Sequence, residues 1–357
     1  MSNKLNFLDF ISSLEDKTIH IIYSYRTCGI ATRQWYDQWQ TSVISYFGES
    51  VELLGAQARF LDIETFIRLC SEFPESMRNE FIINLNAGFE NIDHWCLVPA
   101  IAGWYGAIIA PCSGSAVSIG ERKDVANALA YLSGFKVPEV YTPEQLSDLP
   151  AEERVIVKPR DFGGSRGVVS TNANLAHKMI TSDSSSFAQK FIEGYDLTVS
   201  VIADPCTHQL EVIDTLICKP EDENKSFIQT EKEKDRLLSG KSKIVREAAK
   251  ISNDFLNRVR VLVARCGHGA VARVDFRIEN YDSRRKIEVS DVSFLEINIM
   301  PTISKFSSYG MSLTNIFNLK SIQESIFLLK KKFPCEDSLP QAYLVSSMLY
   351  WAYIHAK

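Results

Sequence analysis

Two short segments late in the chain restrict its fold more than any others. AVARVDF (270–276) and SFLEINIMP (293–301) each set polar residues at two-residue spacing inside runs of Val, Phe, Leu and Ile. That period belongs to a strand buried on one face. It puts Arg273 with Asp275 on one face of the first strand, and Glu296 with Asn298 on one face of the second. The polar YDSRRK stretch between them reads as the neighbourhood of a hairpin turn. Asp275, Glu296 and Asn298 then converge as hard oxygen donors of the kind Mg²⁺ takes. The competing reading is the solvent face of a sheet. The apolar flanks and the mixture of charge signs favour the metal site.

A second feature is VIVKPRDFGGSRGVV (155–169), an apolar strand with Lys158 near its end, followed by a glycine-rich turn. Gly163, Gly164, Ser165 and Gly167 allow backbone N–H groups to turn toward an anion. Such a turn is either a plain hairpin or a phosphate loop. Lys158 weighs toward phosphate, because an ammonium at the end of a buried strand is costly without an anion. A third, weaker feature is QKFIEGYDLTV (189–199), an apolar strand whose end offers backbone groups to a flat base, with Asp196 placed to bond ribose hydroxyls.

Around these features the chain alternates. Strands are expected at 18–24, 81–86 and 107–110, and helices at 31–47 and 94–106, making a parallel α/β unit over about residues 1–112. Helical spacing covers 121–134, and AQKFIEG (188–194) and LTVSVIA (197–203) read as strands joined by a tight turn. A further strand is expected at 210–218. Residues 219–243 are dense in charge and read as a solvated loop, 244–266 as one amphipathic helix, and 315–357 as a helical tail interrupted by Pro334 and Pro340. The fold class is α/β in the first part and α+β in the second.

With 357 residues, the chain is long enough for two or three domains. A net charge of -5 argues against a nucleic-acid-binding protein but leaves room for a local cationic pocket. The acidic N-terminus lacks a signal-peptide pattern, and the longest apolar stretch is broken by Pro99, Gly103 and Gly106, so no membrane span and a cytoplasmic location are expected. Eight cysteines contain no CxxC pair and read as reduced thiols. The scattered histidines give no zinc spacing. Cys28 has no base near it in sequence and is not read as a nucleophile.

The order VIVKP…GGSRG, QKFIEGYDLTV, ARVDF, FLEINIMP resembles the ATP-grasp superfamily, most closely its D-alanine–D-alanine ligase-like branch. The resemblance runs from about residue 84 to 310. It implies an ATP-grasp fold: an N-terminal Rossmann-like pre-ATP-grasp domain (1–114), a central lobe (115–190) and a C-terminal lobe with the helical tail (191–357), the two lobes clasping ATP. It also implies an ATP-dependent carboxylate–amine ligase that forms an amide or dipeptide through an acylphosphate and releases ADP and phosphate. The cofactors implied are ATP and two Mg²⁺ ions, for which Mn²⁺ can substitute. The partners implied are small carboxylate and amine substrates, amino acids by class.

Carried over residue by residue, Lys123 and Lys158 reach the phosphates, and Gly163, Gly164 and Ser165 cover them. Gln189, Lys190, Phe191 and Ile192 hold adenine, and Asp196 holds ribose. Lys225 touches the γ-phosphate, and Arg273 steadies the acylphosphate and the tetrahedral intermediate. Ser165 counts with these two in the catalytic set. Asp275, Glu296 and Asn298 are the metal ligands, and Ser307 stands near the position that binds the second substrate's carboxylate.

The departures lie on the substrate side. YSYRTCGIATRQWYD (23–37) lacks the glutamate that takes the first substrate's ammonium, NAGFENID (86–93) replaces the family's H-G-x-x-G-E-D-G segment, and Thr302 stands for a glycine. These point away from a cell-wall D-Ala–D-Ala ligase and toward a different, acidic carboxylate near Arg26 or Arg33, although those arginines also read as a solvated loop. Many relatives are dimers, so the apolar segment 346–354 packs either in a homodimer interface or on its own domain. Three other readings stay open: an ATP-grasp kinase, an ATP-grasp carboxylase, and a nucleotide-binding regulatory protein without catalysis.

Overall fold

A computed structural model describes residues 5–24, 41–86, 92–161, 165, 167–221, 228, 243–267, 269–303, 307–333 and 335–356. Three sheets organise them. The first contains β1 (Thr18–Tyr23), β2 (Gln57–Asp62), β3 (Phe81–Leu85) and β4 (Ile108–Ala110) in the order β2-β1-β3-β4, all parallel. β3 is buried along its whole length, as a parallel strand covered on both faces must be. The helices Thr41–Leu53, Ile63–Glu72 and Ile92–Trp104 provide the crossovers. The expected α/β unit is therefore present. Of the helix expected at 31–47, residues 31–40 lie outside the described set, and the described part extends to Leu53.

The second sheet contains β5 (Val140–Tyr141), β6 (Arg154–Pro159), β7 (Val169–Asn172) and β8 (Ser186–Lys190), in the order β5-β8-β6-β7. The third contains β9 (Tyr195–Asp204), β10 (Gln209–Pro220), β11 (Ile244–Ala248), β12 (Val271–Ile278) and β13 (Val292–Asn298), antiparallel throughout in the order β11-β10-β9-β12-β13.

This arrangement corrects the sequence reading in several places. The strands around Gly194 do not form a hairpin, because β8 and β9 belong to different sheets and residues 191–194 carry the chain between them. Gly194 makes the crossing with φ +123, and a Cβ there would run into the carbonyl of Ile278. Residues 244–248 are strand, paired with the edge of β10, and the helix starts only at Asn253, where Ser252 accepts from the N–H of Phe255. A free sheet edge and a cap set that boundary, and neither shows in the helical periodicity. The helix expected at 121–134 is present as Lys123–Leu132, and a separate helix, Gly114–Gly120, precedes it. Pro340 does not interrupt the tail, since it sits in the first turn of the helix Leu339–His355, where its missing N–H has no cost.

That last helix is buried along most of its length, which explains why it lacks a polar face. It packs on β4 of the first sheet and β9 of the third, so the apolar tail lies on its own chain. Asp204, at the end of β9, is fully buried and accepts from Ser325 Oγ (2.6 Å), Tyr343 Oη (3.0 Å) and the Thr207 N–H (2.8 Å). One carboxylate thus ties two C-terminal helices to the five-stranded sheet. Among the described residues, no helix is long and apolar enough to cross a membrane.

Candidate active site

Antiparallel register turns the two alternating sequences into one polar face. Arg273 stands opposite Ser200 and Asn298, Asp275 opposite Thr198 and Glu296, and Arg277 opposite Asp196. These three cross-strand rows are half-exposed or polar, while Val274 and Phe276 between them are buried in the core. Arg273 donates to Asp275 through Nη2 (2.8 Å) and Nε (3.0 Å) and lies 3.7 Å from Glu296. Burial by itself would lower the pKa of Arg273, but Asp275 and Glu296 outweigh it and the net shift is upward. Asp275 also accepts from Thr198 Oγ1 (2.9 Å), and Asn298 Nδ2 lies 3.5 Å from it.

The second sheet faces this one across a cavity. Lys158 and Ile156 come from β6, Gln189 and Lys190 from β8, Phe191 and Ile192 from the crossing segment, and Lys123 from the start of the helix Lys123–Leu132. The backbone N–H of Lys123 donates to the carbonyl of Arg160 (2.8 Å), which fixes that helix end against β6. Lys123 and Lys158 are both buried. Burial drives the Lys158 pKa down to about 8; the carboxylates of Glu296 and Asp196 oppose this, while Lys123 and Arg277 add to it. Two buried amines in one cavity are a poor design for an empty protein and a good one for a polyanion.

Ten of the sequence-predicted residues line this cavity: Lys123, Lys158, Ser165, Gln189, Lys190, Phe191, Ile192, Asp196, Asp275 and Glu296. Arg273 and Asn298 adjoin it through Asp275. Ser165 is held at φ +61, the left-handed turn conformation expected of a loop that presents its backbone. Ser307 is not a lining residue; it caps the helix Ser308–Thr314, accepting from the N–H of Gly310 at 3.0 Å. Gly163, Gly164, Lys225, Arg26 and Arg33 lie outside the described residues.

Sequence reasoning missed Arg277, Ile156 and Leu295. Arg277 is buried and donates to Asp196 Oδ1 (2.8 Å) and to the carbonyl of Ile192 (2.9 Å). Alternation was enough to find it, two residues past Asp275, and to find Ile156, two before Lys158. Leu295 was out of reach, because strict alternation puts it opposite Glu296. A bulge between Asp275 and Phe276 in the β12–β13 pairing lets Leu295 and Glu296 line the same cavity. Ile156 and Leu295 thus add apolar surface from both sheets to the slot beside Phe191 and Ile192.

The donors present fit Mg²⁺. Two carboxylates in register and one amide oxygen are hard ligands, and Mg²⁺ binds with one or two carboxylates when phosphate oxygens and water complete its shell. Among the described residues, no three His, Cys, Asp or Glu side chains gather into a metal site without outside ligands.

Comparisons with known proteins agree with this geometry. Residues 120–275 match the ATP-grasp domain family. A sequence comparison with curated proteins finds no significant match. Among solved structures, the chain is similar to a D-alanine–D-alanine ligase from Bacillus anthracis complexed with ATP, at 13% identity and a TM-score of 0.58, covering 93% of this chain and 97% of that one. It is also similar to the VanG D-Ala:D-Ser ligase of Enterococcus faecalis, at 12% identity and a TM-score of 0.57, covering 94% and 100%. An L-amino acid ligase from Bacillus licheniformis matches at 13% identity and a TM-score of 0.52, covering 92% and 77%. At such identity the likeness is one of fold. The chain carries an ATP-grasp domain, set in the fold that the D-alanine–D-alanine ligases share.

Proposed function

We propose that this protein is an ATP-dependent ligase that joins a small carboxylic acid to an amine, most simply two amino acids, through an acylphosphate. The observation that carries the reading is the row Thr198–Asp275–Glu296, with Arg273 bound to it, facing Lys158 and Lys123 across one cavity. Adenine fits the slot of Ile156, Phe191, Ile192 and Leu295, and Asp196 faces the ribose hydroxyls. Lys123 and Lys158 take the phosphate charge. Asp275, Glu296 and Asn298 would hold Mg²⁺, which supplies charge neutralisation at the phosphates.

The chemistry is positional. A substrate carboxylate oxygen bonds to the γ-phosphorus as the bond from that phosphorus to the β–γ bridging oxygen breaks, and ADP leaves. The neutral amine then attacks the acyl carbon. Arg273 stabilises the negative oxygen of the tetrahedral intermediate, and the C–O bond to phosphate breaks, leaving the amide. The ammonium protons pass to solvent. Ser165 is proposed to close the phosphate end by its backbone. Lys225 and Ser307 remain proposals carried by resemblance, and an acidic-substrate role for Arg26 or Arg33 is one carried by the departures from the family pattern.

The test is ADP release from purified protein against pairs of amino acids of both hands. Release that needs both a carboxylate and an amine supports the ligase. Release on bicarbonate alone supports a carboxylase, and ATP hydrolysis indifferent to every pair overturns the reading.

A further inference from the structure

One buried carboxylate lies outside the wall of the candidate active site yet is tied to it. Glu121 caps the end of the helix Gly114–Gly120, its N–H bonded to the carbonyl of Val117, and it precedes Lys123 by two residues. The turn alternates. Arg122 is half-exposed and pairs with Asp124 at 3.1 Å, whereas Glu121 and Lys123 are both buried. A carboxylate is a costly choice at this point. It is out of water, and it stands at a helix C-terminus, where the backbone dipole disfavours a negative charge.

What the carboxylate holds is the exit of β13. Its Oε1 accepts the backbone N–H of Ile299 at 3.2 Å, across 178 positions of sequence. Ile299 follows Asn298, which ends β13 and forms the last rung of its ladder, opposite Arg273. The N–H that Glu121 takes belongs to the peptide plane that starts at the Asn298 Cα. Beyond the last rung the ladder no longer sets that plane, and the carboxylate does. The Ile299 side chain is fully buried and abuts two glycines. A Cβ on Gly120 would run into it, and a Cβ on Gly269 would come within 3.2 Å of it. Among these contacts the charge-assisted hydrogen bond is the directional one.

We infer that Glu121 is a positioning residue for the metal, holding the Asn298 peptide so that this amide stays within reach of the cation taken by Asp275 and Glu296. The inference rests on the Mg²⁺ reading above. Lys123 is anchored separately, through its own N–H to the carbonyl of Arg160 at 2.8 Å. Loss of the Glu121 bond is therefore felt at the metal and not at the lysine. Position is what the bond supplies, since Glu121 itself lines no part of the cavity.

The experiment reads metal and nucleotide separately. Mn²⁺ is the probe, its free and bound forms resolved by electron paramagnetic resonance, with the full-length protein in excess over a non-hydrolysable ATP analogue. The same analogue is titrated calorimetrically without divalent metal. Glu121→Gln keeps an acceptor oxygen at the same reach and loses the charge. Glu121→Asp keeps the charge and falls short by about 1.5 Å, one C–C bond. The Gln variant is expected to hold Mn²⁺ within threefold of the parent, and the Asp variant to weaken it tenfold or more, as loss of a group that orients a metal ligand does. Metal-free nucleotide affinity is expected to stay within twofold in both. The reverse order, with Asp near the parent and Gln weakened, overturns the inference, because charge would then be the active property. Equal weakening of metal and nucleotide binding in the Asp variant also overturns it, because that is the mark of a merely structural role. A parent protein without nucleotide-dependent Mn²⁺ binding removes the metal reading and the inference with it. Parent binding that Glu121→Asp leaves intact removes the inference alone.

Discussion

Arg277 joins Asp196 to the carbonyl of Ile192, with donor–acceptor distances of 2.8 and 2.9 Å. One buried guanidinium thus sets both the ribose-facing acid and the backbone of the crossing segment. Arg277→Ala removes the guanidinium paired with the partly buried Asp196 carboxylate, a loss of about 3 kcal/mol. The KM for ATP is expected to rise tenfold or more, with a smaller effect on kcat. Arg277→Lys keeps the charge but not both bonds and falls between. Steady-state kinetics over an ATP series checks the order.

Lys158 gives the site a pH signature. Its pKa is lowered from 10.5 to about 8, chiefly by burial, so the free protein loses this ammonium as pH passes 8. The cost of holding the charge, about 3 kcal/mol, is fully present below pH 8 and is relieved as pH rises toward 10.5. Stability of the ligand-free protein should gain from this group across that window, while ATP affinity should fall. Calorimetric titration of ATP at pH 7 and pH 9.5 should show the weakening, and Lys158→Met should flatten it.

Arg273 separates binding from chemistry. Arg273→Ala should leave ATP affinity within a few-fold and lower product formation by 10²–10³, as removal of one transition-state donor does elsewhere. Equal losses in binding and turnover would argue that its pairing with Asp275 and Glu296 is structural.

Gly194 tests the crossing segment. Its φ of +123 and the nearby Ile278 carbonyl leave no room for a Cβ. Gly194→Ala should shift residues 191–193 and raise the KM for ATP several-fold. Thermal melts with and without ATP analogue should show a smaller ligand-induced stabilisation than in the parent.

Asp204 tests the C-terminal attachment. Asp204→Ala strands the hydroxyls of Ser325 and Tyr343 in the core, frees the Thr207 N–H nearer the surface, and should cost about 3 kcal/mol. Tyr343→Phe removes one of those bonds and should cost about 1 kcal/mol. Denaturant midpoints at constant m-value would measure both.

The sequence by itself determined the pieces whose physics is local. Two-residue alternation showed that Arg273 and Asp275 share a face, as do Glu296 and Asn298, and the apolar runs located β1, β3, β4 and β6. Glycine tolerance marked the turn that follows Lys158. Tertiary structure alone decided how those faces meet. Register placed Asp275 against Glu296, and a one-residue bulge moved Leu295 into the cavity, against the parity of its strand. The sheet assignments of β8 and β9 turned an apparent hairpin into the passage between two lobes. The edge of β10 claimed residues 244–248 as strand despite their helical spacing. Cross-strand pairing and sheet membership depend on residues far apart in the chain, and no local period encodes them.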